Sequence, residues 1–338
     1  MTAVGHAVIR VDVSEIQIER ARELVPGAQF TRGDLAEDRL GVGRSGGSCY
    51  GRGMRLVSFR HGSRGSYGSM NDDGSVADVG AVLGGRHADL RSVLAAGALE
   101  ELAAASLRAP VLEFDSVDLL PPIPDPPRIF CIGINYTAHR EETGRVAVAH
   151  PTVFVRFASS LVGSGSPLER PRVSEAFDYE GELAVVIGRA GRHIGAVDAL
   201  AHVAGYSCFN DGSVRDWQRH TSQFTPGKNF DRSGSFGPWI VTEDEIPDPS
   251  ALALTTRLSG EVMQHSSVDR LIFDIPALIA YLSTFTELQP GDVIATGTPG
   301  GVGMAREPQR WMQVDEVVEV EITNIGVLRN VVSQEVGP

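Results

Sequence analysis

The chain has 338 residues, 42% hydrophobic and 22% charged, so it is long enough to bury a core without disulfide bonds. Its formal net charge of -13 argues against a nucleic acid partner, because phosphate binding requires a basic surface. The three cysteines lack zinc-site spacing. No apolar run reaches the roughly 18–20 residues of a membrane span, and the first residues lack a signal-peptide pattern. Together these features predict a cytoplasmic protein without a membrane partner.

The first 53 residues are predicted to be separate from the rest of the chain. Their pattern predicts a strand over residues 8–13, a helix over 16–24 and a second strand over 28–31. This unit resembles the middle of a methyltransferase that binds S-adenosylmethionine, in which Asp12 would hold ribose hydroxyls. The glycine-rich turn and the later strands of that fold are missing, so a remnant is the favoured interpretation. Residues 39–53 are rich in glycine and predict a flexible linker.

Two further domains are predicted after the linker. Residues 54–122 contain an initial strand and a helix over 89–106, which indicates a small α+β domain. Prolines crowd residues 121–127 and predict a stiff connector, because each proline fixes its own φ angle. Residues 123–336 hold short β-branched segments between Gly, Pro and Asp, with one clear helix at 275–282. The predicted fold class is therefore mixed α/β and rich in strands.

Carboxylates at two places in the chain predict a metal site. Glu180 and Glu182 stand just before the apolar segment 183–187, and strand alternation places both side chains on one face. Two such carboxylates repel each other unless a cation lies between them, and their oxygens suit Mg²⁺ or Mn²⁺. Asp211, at the end of the apolar segment 203–209, offers a third oxygen ligand. A solvated strand edge and a helix N-cap are the alternative interpretations of these residues.

A histidine and a carboxylate on one predicted helix form a candidate acid–base pair. His139 and Glu142 are spaced i, i+3 and share a face, and a carboxylate orients an imidazole and raises its basicity. A surface contact is the alternative. Gln218 follows Asp211 by seven residues, so both are expected to face one cavity from a helix predicted to begin at Ser213.

Two further features point to anion binding. The strand at 293–296 runs into a glycine-rich loop, where backbone amides and the Thr298 hydroxyl are suited to hold a carboxylate; an ordinary tight turn is the alternative. Lys228 is the one lysine among 30 Lys and Arg residues. A lysine kept in an arginine-rich chain suits a place that needs a compact charge, although chance explains it equally well.

These residues fall in motifs whose joint occurrence is specific. In chain order the motifs are G-I-N-Y-x-x-H-x-x-E, D-Y-E-G-E-L-A-V-V-I-G, N-D-x-S-x-R-D-W-Q, G-K-N-F-D and P-G-D-V-I-A-T-G-T-P-x-G-V-G. From about residue 54 to residue 332 the chain resembles the fumarylacetoacetate hydrolase family. The resemblance implies a mixed β-roll fold, a homodimer, a divalent metal held by Glu180, Glu182 and Asp211, and 2-oxo or 1,3-diketo acids as substrates.

The resemblance also implies roles for the other candidates. His139 with Glu142 would activate water or move a proton. Lys228 would stabilise an oxyanion or enolate, with Gln218 nearby. Thr298 and its loop would hold a substrate carboxylate.

The predicted reaction is hydrolysis of a C–C bond in an acylpyruvate or fumarylpyruvate type of acid, with a metal-stabilised enolate. Decarboxylation, including that of oxaloacetate, and isomerisation of 2-oxo diacids in aromatic degradation are the alternatives, because they use the same enolate. Relatives usually carry lysine where this chain has Arg156, which is expected to keep a contact with a substrate anion.

Overall fold

The computed structural model of the protein describes residues 53–336. The predictions for residues 1–38, and for the linker up to residue 52, lie outside the described residues. No helix within the described range is long and apolar enough to cross a membrane. The strands are β1 (Arg55–His61), β2 (Arg64–Met70), β3 (Val76–Ala77), β4 (Val111–Leu112), β5 (Asp118–Leu119), β6 (Ile129–Gly133), β7 (Thr152–Arg156), β8 (Leu161–Val162), β9 (Leu168–Arg170), β10 (Phe177–Asp178), β11 (Gly181–Ile187), β12 (Val203–Asn210), β13 (Ser213–Val214), β14 (Gly234–Thr242), β15 (Ala253–Leu258), β16 (Glu261–Ser267), β17 (Val293–Ala295), β18 (Val317–Ile322) and β19 (Gly326–Gln334). The α-helices are α1 (Gly80–Leu83), α2 (Leu90–Ala95), α3 (Leu99–Ser106), α4 (Thr137–Glu142), α5 (Arg215–Gln218), α6 (Thr225–Lys228) and α7 (Ile275–Phe285).

Most of the strands join one mixed sheet. Its order is β4-β3-β2-β1-β14-β12-β11-β17-β6-β7, with β5 beside β1 and β8 beside β14. Neighbouring strands of this sheet run antiparallel, except for β17 with β6 and β14 with β8. A second sheet has the order β16-β15-β18-β19-β9, and β10 pairs with β13. This architecture confirms the prediction of a strand-rich, mixed α/β fold.

The register between β11 and β12 fixes the position of the predicted metal ligands. Gly181 pairs with Asn210, so Glu180, just before β11, and Asp211, just after β12, leave the sheet side by side. The Asp211 N–H donates to the Glu180 carbonyl at 2.8 Å. Glu182 shares the face of Glu180, because alternate residues of an extended chain point the same way.

Strand β11 is buried on both of its faces. Ala184 and Val186 belong to one hydrophobic cluster, whereas Leu183 and Val185 belong to a second cluster that includes residues of α7 and of the second sheet. Each large apolar side chain buried in this way stabilises the fold by roughly 1.5–3 kcal/mol. The carboxylates at the beginning of β11 therefore stand on a well-anchored strand.

Two helices differ from the prediction. The prediction of one continuous helix over residues 89–106 is wrong. The segment forms two helices, α2 and α3, which are separated at Gly97, where φ is 62°. The helix predicted to begin at Ser213 begins at Arg215 instead. Ser213 pairs with Asp178 in the ladder between β13 and β10, which keeps this part of the chain extended.

The two segments predicted as separate domains, residues 54–122 and 123–336, share a sheet and a hydrophobic cluster in the structure. Strand β1 pairs with β14. Leu56 and Ile123 belong to the same hydrophobic cluster. The division into two domains therefore stays a prediction that rests on the proline connector.

Candidate metal centre and active site

Three buried carboxylates converge at the ends of β11 and β12. The exposed fraction is 5% for Glu180, 2% for Glu182 and 0% for Asp211. One oxygen from each residue lies within 4.8 Å of the other two. Three oxygens at this spacing can bind one divalent ion. The structure thus brings the predicted ligands together, and their role as ligands is a proposal.

Buried cations balance part of this negative charge. Lys228 Nζ lies 2.6 Å from Glu180 Oε2 and 2.6 Å from Asp211 Oδ2. Arg215 Nη2 lies 2.6 Å from Glu180 Oε1, as an ion pair without hydrogen-bond alignment. Burial acts to raise the pKa of Glu180, but Arg215 and Lys228 outweigh it and lower that pKa to about 2. Burial acts to lower the pKa of Lys228, but Asp211 and Glu180 raise it, so Lys228 is an ammonium ion.

Glu182 has no salt bridge within residues 53–336. Its Oε2 accepts the Gly297 N–H at 2.8 Å. Burial, reinforced by the charges of Asp211 and Glu180, raises the pKa of Glu182 well above its usual range. In its ionised form Glu182 is therefore the carboxylate of this cluster that no cation within residues 53–336 pairs with, and a bound cation would favour that form. A divalent ion with oxygen ligands fits this cluster, and both Mg²⁺ and Mn²⁺ have that preference.

Arg156 holds the carboxylate of Asp211 in place. Its Nη1 donates to Asp211 Oδ1 at 2.6 Å and to the Gly212 carbonyl at 2.9 Å. Its Nη2 donates to Ser233 Oγ at 2.8 Å and its Nε to Ser160 Oγ at 3.1 Å. The Arg156 side chain is fully buried and is not among the residues that line the cavity. We therefore interpret Arg156 as a positioning residue for Asp211, in place of the substrate contact expected from the sequence.

Helix α4 brings the predicted acid–base pair to the same cavity. His139 Nδ1 lies 2.7 Å from Glu142 Oε1, as predicted from their spacing. The second Glu142 oxygen accepts the Gly301 N–H at 2.7 Å, which ties α4 to the glycine-rich loop. Nδ1 is engaged by a carboxylate, whereas Nε2 has no hydrogen-bond partner within residues 53–336 and is placed for proton transfer.

A cavity of about 540 Å³ connects these groups, a volume typical of small-molecule sites. Thr298 Oγ1 donates to the Gly181 carbonyl at 2.9 Å and accepts from Gln264 Nε2 at 2.7 Å. Its hydrogen is thus engaged by the backbone, and a contact with a substrate carboxylate stays a prediction. The predicted site residues that line the cavity are His139, Glu180, Glu182, Gln218, Lys228 and Thr298.

Two residues of the site were missed by the sequence reasoning. Arg215 lines the cavity, and its Nε donates to Asp178 Oδ2 at 2.7 Å. Asp178 also accepts the N–H groups of Gly303 at 2.8 Å and Met304 at 3.1 Å. Both residues stand inside the quoted motifs, so their membership of D-Y-E-G-E and S-x-R-D-W-Q was the available signal.

Comparison with known proteins defines the class. A sequence profile described as "Fumarylacetoacetate (FAA) hydrolase C-terminal" matches residues 128–333. The chain belongs to the fumarylacetoacetate hydrolase family, as its motifs predicted. It is 38% identical over 285 residues to the mitochondrial oxaloacetate tautomerase fahd2 of Xenopus laevis, a match that covers 82% of this chain and 89% of that protein.

Solved structures of the family share the fold. Fumarylacetoacetate hydrolase from psychrophilic Exiguobacterium antarcticum is similar with a TM-score of 0.73 and 36% identity, over 83% of this chain and all of that one. Maleylpyruvate hydrolase from Sphingobium sp. SYK-6, in complex with manganese(II) and pyruvate, is similar with a TM-score of 0.70 and 29% identity, over 84% of this chain and all of that one. The β-rich fold is therefore that of the family.

Proposed function

We propose that the protein is an enzyme that interconverts the enol and keto forms of a 2-oxo acid and requires a divalent metal. The observation that carries this proposal is that two carboxylates of the metal centre, the Lys228 ammonium and the His139 imidazole line one cavity. The similarity to an oxaloacetate tautomerase supports proton transfer as the reaction. The sequence favoured C–C bond hydrolysis, with decarboxylation or isomerisation of 2-oxo diacids as the alternatives.

The proposed reaction moves a proton between oxygen and carbon. In the direction from enol to keto form, the enol O–H bond breaks and a C–H bond forms at the neighbouring carbon. Glu180, Glu182 and Asp211 would hold a divalent ion, which would supply Lewis-acid stabilisation of negative charge on a substrate oxygen. His139 Nε2 carries the proton, because Glu142 holds Nδ1. Lys228 keeps its proton, since the neighbouring carboxylates raise its pKa, and so it stabilises negative charge.

Conversion of enol-oxaloacetate to its keto form tests the proposal. The enol is followed by its ultraviolet absorbance, with metal-free protein and after addition of Mg²⁺ or Mn²⁺. We expect metal-dependent acceleration that falls roughly 100-fold or more in His139→Gln, the usual contribution of a general acid–base. His61→Gln, an exposed histidine outside the cavity, is the matched control. Undiminished acceleration in the presence of EDTA, or in His139→Gln, would contradict the proposal.

C–C bond hydrolysis is the second candidate, and the similarity to maleylpyruvate hydrolase favours it. Here His139 would take a proton from water while the water oxygen bonds to a carbonyl carbon. The C–C bond then breaks, its electron pair forms an enolate, and that enolate takes a proton. Acylpyruvates separate the candidates, because only hydrolysis releases pyruvate and a second carboxylic acid. Pyruvate and CO₂ formed from oxaloacetate would instead support the decarboxylase alternative.

We also propose that the enzyme acts as a homodimer in the cytoplasm. The family resemblance supports the dimer, and the sequence pattern supports the location, although the Xenopus laevis relative is named as mitochondrial. Sedimentation of the full chain and fractionation of the producing cells measure these two properties. A monomer at micromolar concentration, or recovery in an organelle, would contradict them.

A further inference from the structure

Each side-chain oxygen of Glu180 and Asp211 lies beside a cation of the protein. Glu180 Oε1 is 2.6 Å from Arg215 Nη2, and Glu180 Oε2 is 2.6 Å from Lys228 Nζ. Asp211 Oδ1 is 2.6 Å from Arg156 Nη1, and Asp211 Oδ2 is 2.6 Å from Lys228 Nζ. A divalent ion that binds both carboxylates therefore meets oxygens that already contact a positive charge. Two cations on one buried oxygen repel each other, so binding of the ion favours the loss of a contact.

The two arginines are held by partners outside the proposed ligands. Arg156 Nη2 donates to Ser233 Oγ at 2.8 Å, and Arg215 Nε donates to Asp178 Oδ2 at 2.7 Å. Each guanidinium group is thus fixed from two sides. Lys228 has no acceptor of this kind within residues 53–336, because every acceptor of its Nζ belongs to a proposed metal ligand. Lys228 is therefore the cation that can yield to a divalent ion.

The hydrogen bonds of Lys228 leave it no free donor. An ammonium has three protons, and its acceptors here are Glu180 Oε2, Asp211 Oδ2 and, at 3.3 Å, the Asp211 carbonyl. A contact between Lys228 and a substrate oxygen thus requires that one of these bonds is given up. On the cavity side the Phe154 ring centre lies 5.2 Å from Nζ, within the range of a cation–π contact. The ammonium therefore keeps an attractive neighbour when it turns towards the cavity.

We propose that Lys228 and the divalent ion compete for the same carboxylate oxygens. When the ion binds, Lys228 gives up its contact with Glu180 or Asp211, and the ammonium turns into the cavity, where its freed donor can meet a substrate oxygen. This inference rests on the proposed function, which places a divalent ion at these carboxylates. It adds an order of events, because the cation that stabilises the substrate becomes available only after the ion has bound.

The single lysine makes this movement measurable in the wild type. Protein with lysine isotopically labelled at Nζ should give one ammonium signal in nuclear magnetic resonance, since the chain has no other lysine. We expect saturating Mg²⁺, which is diamagnetic, to shift this signal and to speed the exchange of its protons with water. Glu182→Gln removes a proposed ligand that Lys228 does not contact, so an equal, sub-saturating amount of Mg²⁺ should produce a smaller response. An unmoved signal, or an undiminished response in Glu182→Gln, would overturn the inference.

Removal of the competing charge tests the same inference from the side of the ion. Lys228→Met should bind Mn²⁺ about tenfold more tightly than the wild type in calorimetry, the order of effect of one charged hydrogen bond. Mn²⁺ should also raise the unfolding temperature of this variant more than that of the wild type. Arg108→Met removes an exposed charge outside the cavity and should leave the affinity unchanged. Equal or weaker binding by Lys228→Met would overturn the inference, and the experiment on the wild type decides where this variant does not fold.

Neither experiment measures turnover, so the two proposals can fail separately. Metal-dependent movement of Lys228 without conversion of enol-oxaloacetate would refute the proposed function alone. Metal-dependent conversion with an unmoved Lys228 signal would refute the competition alone.

Discussion

Replacement of Lys228 by arginine tests whether the carboxylates require a compact ammonium. Lys228 is 1% exposed, and its Nζ donates to both Glu180 and Asp211 at 2.6 Å. Arginine keeps the charge but has a longer side chain and a planar, forked head. The backbone has no room to retreat, because a Cβ on the neighbouring Gly227 would lie 2.4 Å from the Gln218 nitrogen. A guanidinium therefore cannot take the place of the ammonium without displacing its partners.

The size of the effect follows from these contacts. Each hydrogen bond from Lys228 joins charged groups and contributes roughly 1.5–3 kcal/mol. Misplacing one preorganised donor of this kind lowers turnover by about 10²–10³-fold. The added volume costs about 1–3 kcal/mol of folding stability through overpacking. We expect Lys228→Arg to fold and to lose about 100-fold or more in kcat.

The assay is the Mn²⁺-supported conversion of enol-oxaloacetate, with thermal unfolding as a check on folding. Lys228→Met is the comparison, because it removes the charge and leaves Glu180 and Asp211 each short of a buried partner. Loss of such a partner costs about 3–5 kcal/mol, so this variant should be less stable than Lys228→Arg. A kcat near that of the wild type in Lys228→Arg would refute the requirement for a compact ammonium. Chance would then explain why the chain has a single lysine.

Three other substitutions test separate parts of the molecule. Arg156→Lys loses the forked guanidinium that holds Asp211. The affinity for Mn²⁺, measured by calorimetry, should therefore fall about tenfold, whereas kcat at saturating Mn²⁺ should change less. An unchanged affinity would contradict the positioning role of Arg156. Glu142→Gln keeps an acceptor for the Gly301 N–H but removes the negative charge beside the His139 imidazole. We therefore expect kcat to fall roughly 100-fold and the pH–rate profile to shift. An unaltered profile would argue against His139 and Glu142 as an acid–base pair. Asp292→Asn removes a buried carboxyl group whose pKa burial raises to about 6, although Gln289 N and Arg128 oppose the shift. Its unfolded pKa is about 3.9, so the stability it contributes is full below that pH and is lost as the pH rises through about 6. In urea unfolding, the free energy of unfolding of Asp292→Asn minus that of the wild type should rise between pH 4 and pH 7, and a flat difference would contradict this.

The residues that we propose as metal ligands could be selected from the sequence because the relevant patterns are local. Alternation along one strand placed Glu180 and Glu182 on one face, and a strand end marked Asp211. That these segments meet depends on the pairing of Gly181 with Asn210, which no local pattern contains. Family resemblance supplied that link. The spacing of His139 and Glu142 was likewise local, and their contact agrees with it.

Other features depend on contacts between distant parts of the chain. Arg156 was expected at the substrate, yet its guanidinium is surrounded by acceptors from residues 4 to 77 positions away. The pattern over 89–106 is continuous, and a single positive φ at Gly97 divides it. Hydrophobic periodicity reports which face is buried, but it contains no information on which polar groups meet inside the fold.

Titration of the metal-free protein with Mn²⁺, followed by calorimetry, tests the central claim most directly. We expect one Mn²⁺ per chain, held by Glu180, Glu182 and Asp211. Affinity should fall by at least about tenfold in Glu182→Gln, which keeps the shape of the ligand and removes its charge. Glu141→Gln, an exposed residue outside the cavity, should bind as the wild type does. Absence of Mn²⁺ binding by the wild type, or equal binding by Glu182→Gln, would contradict a metal centre at these carboxylates.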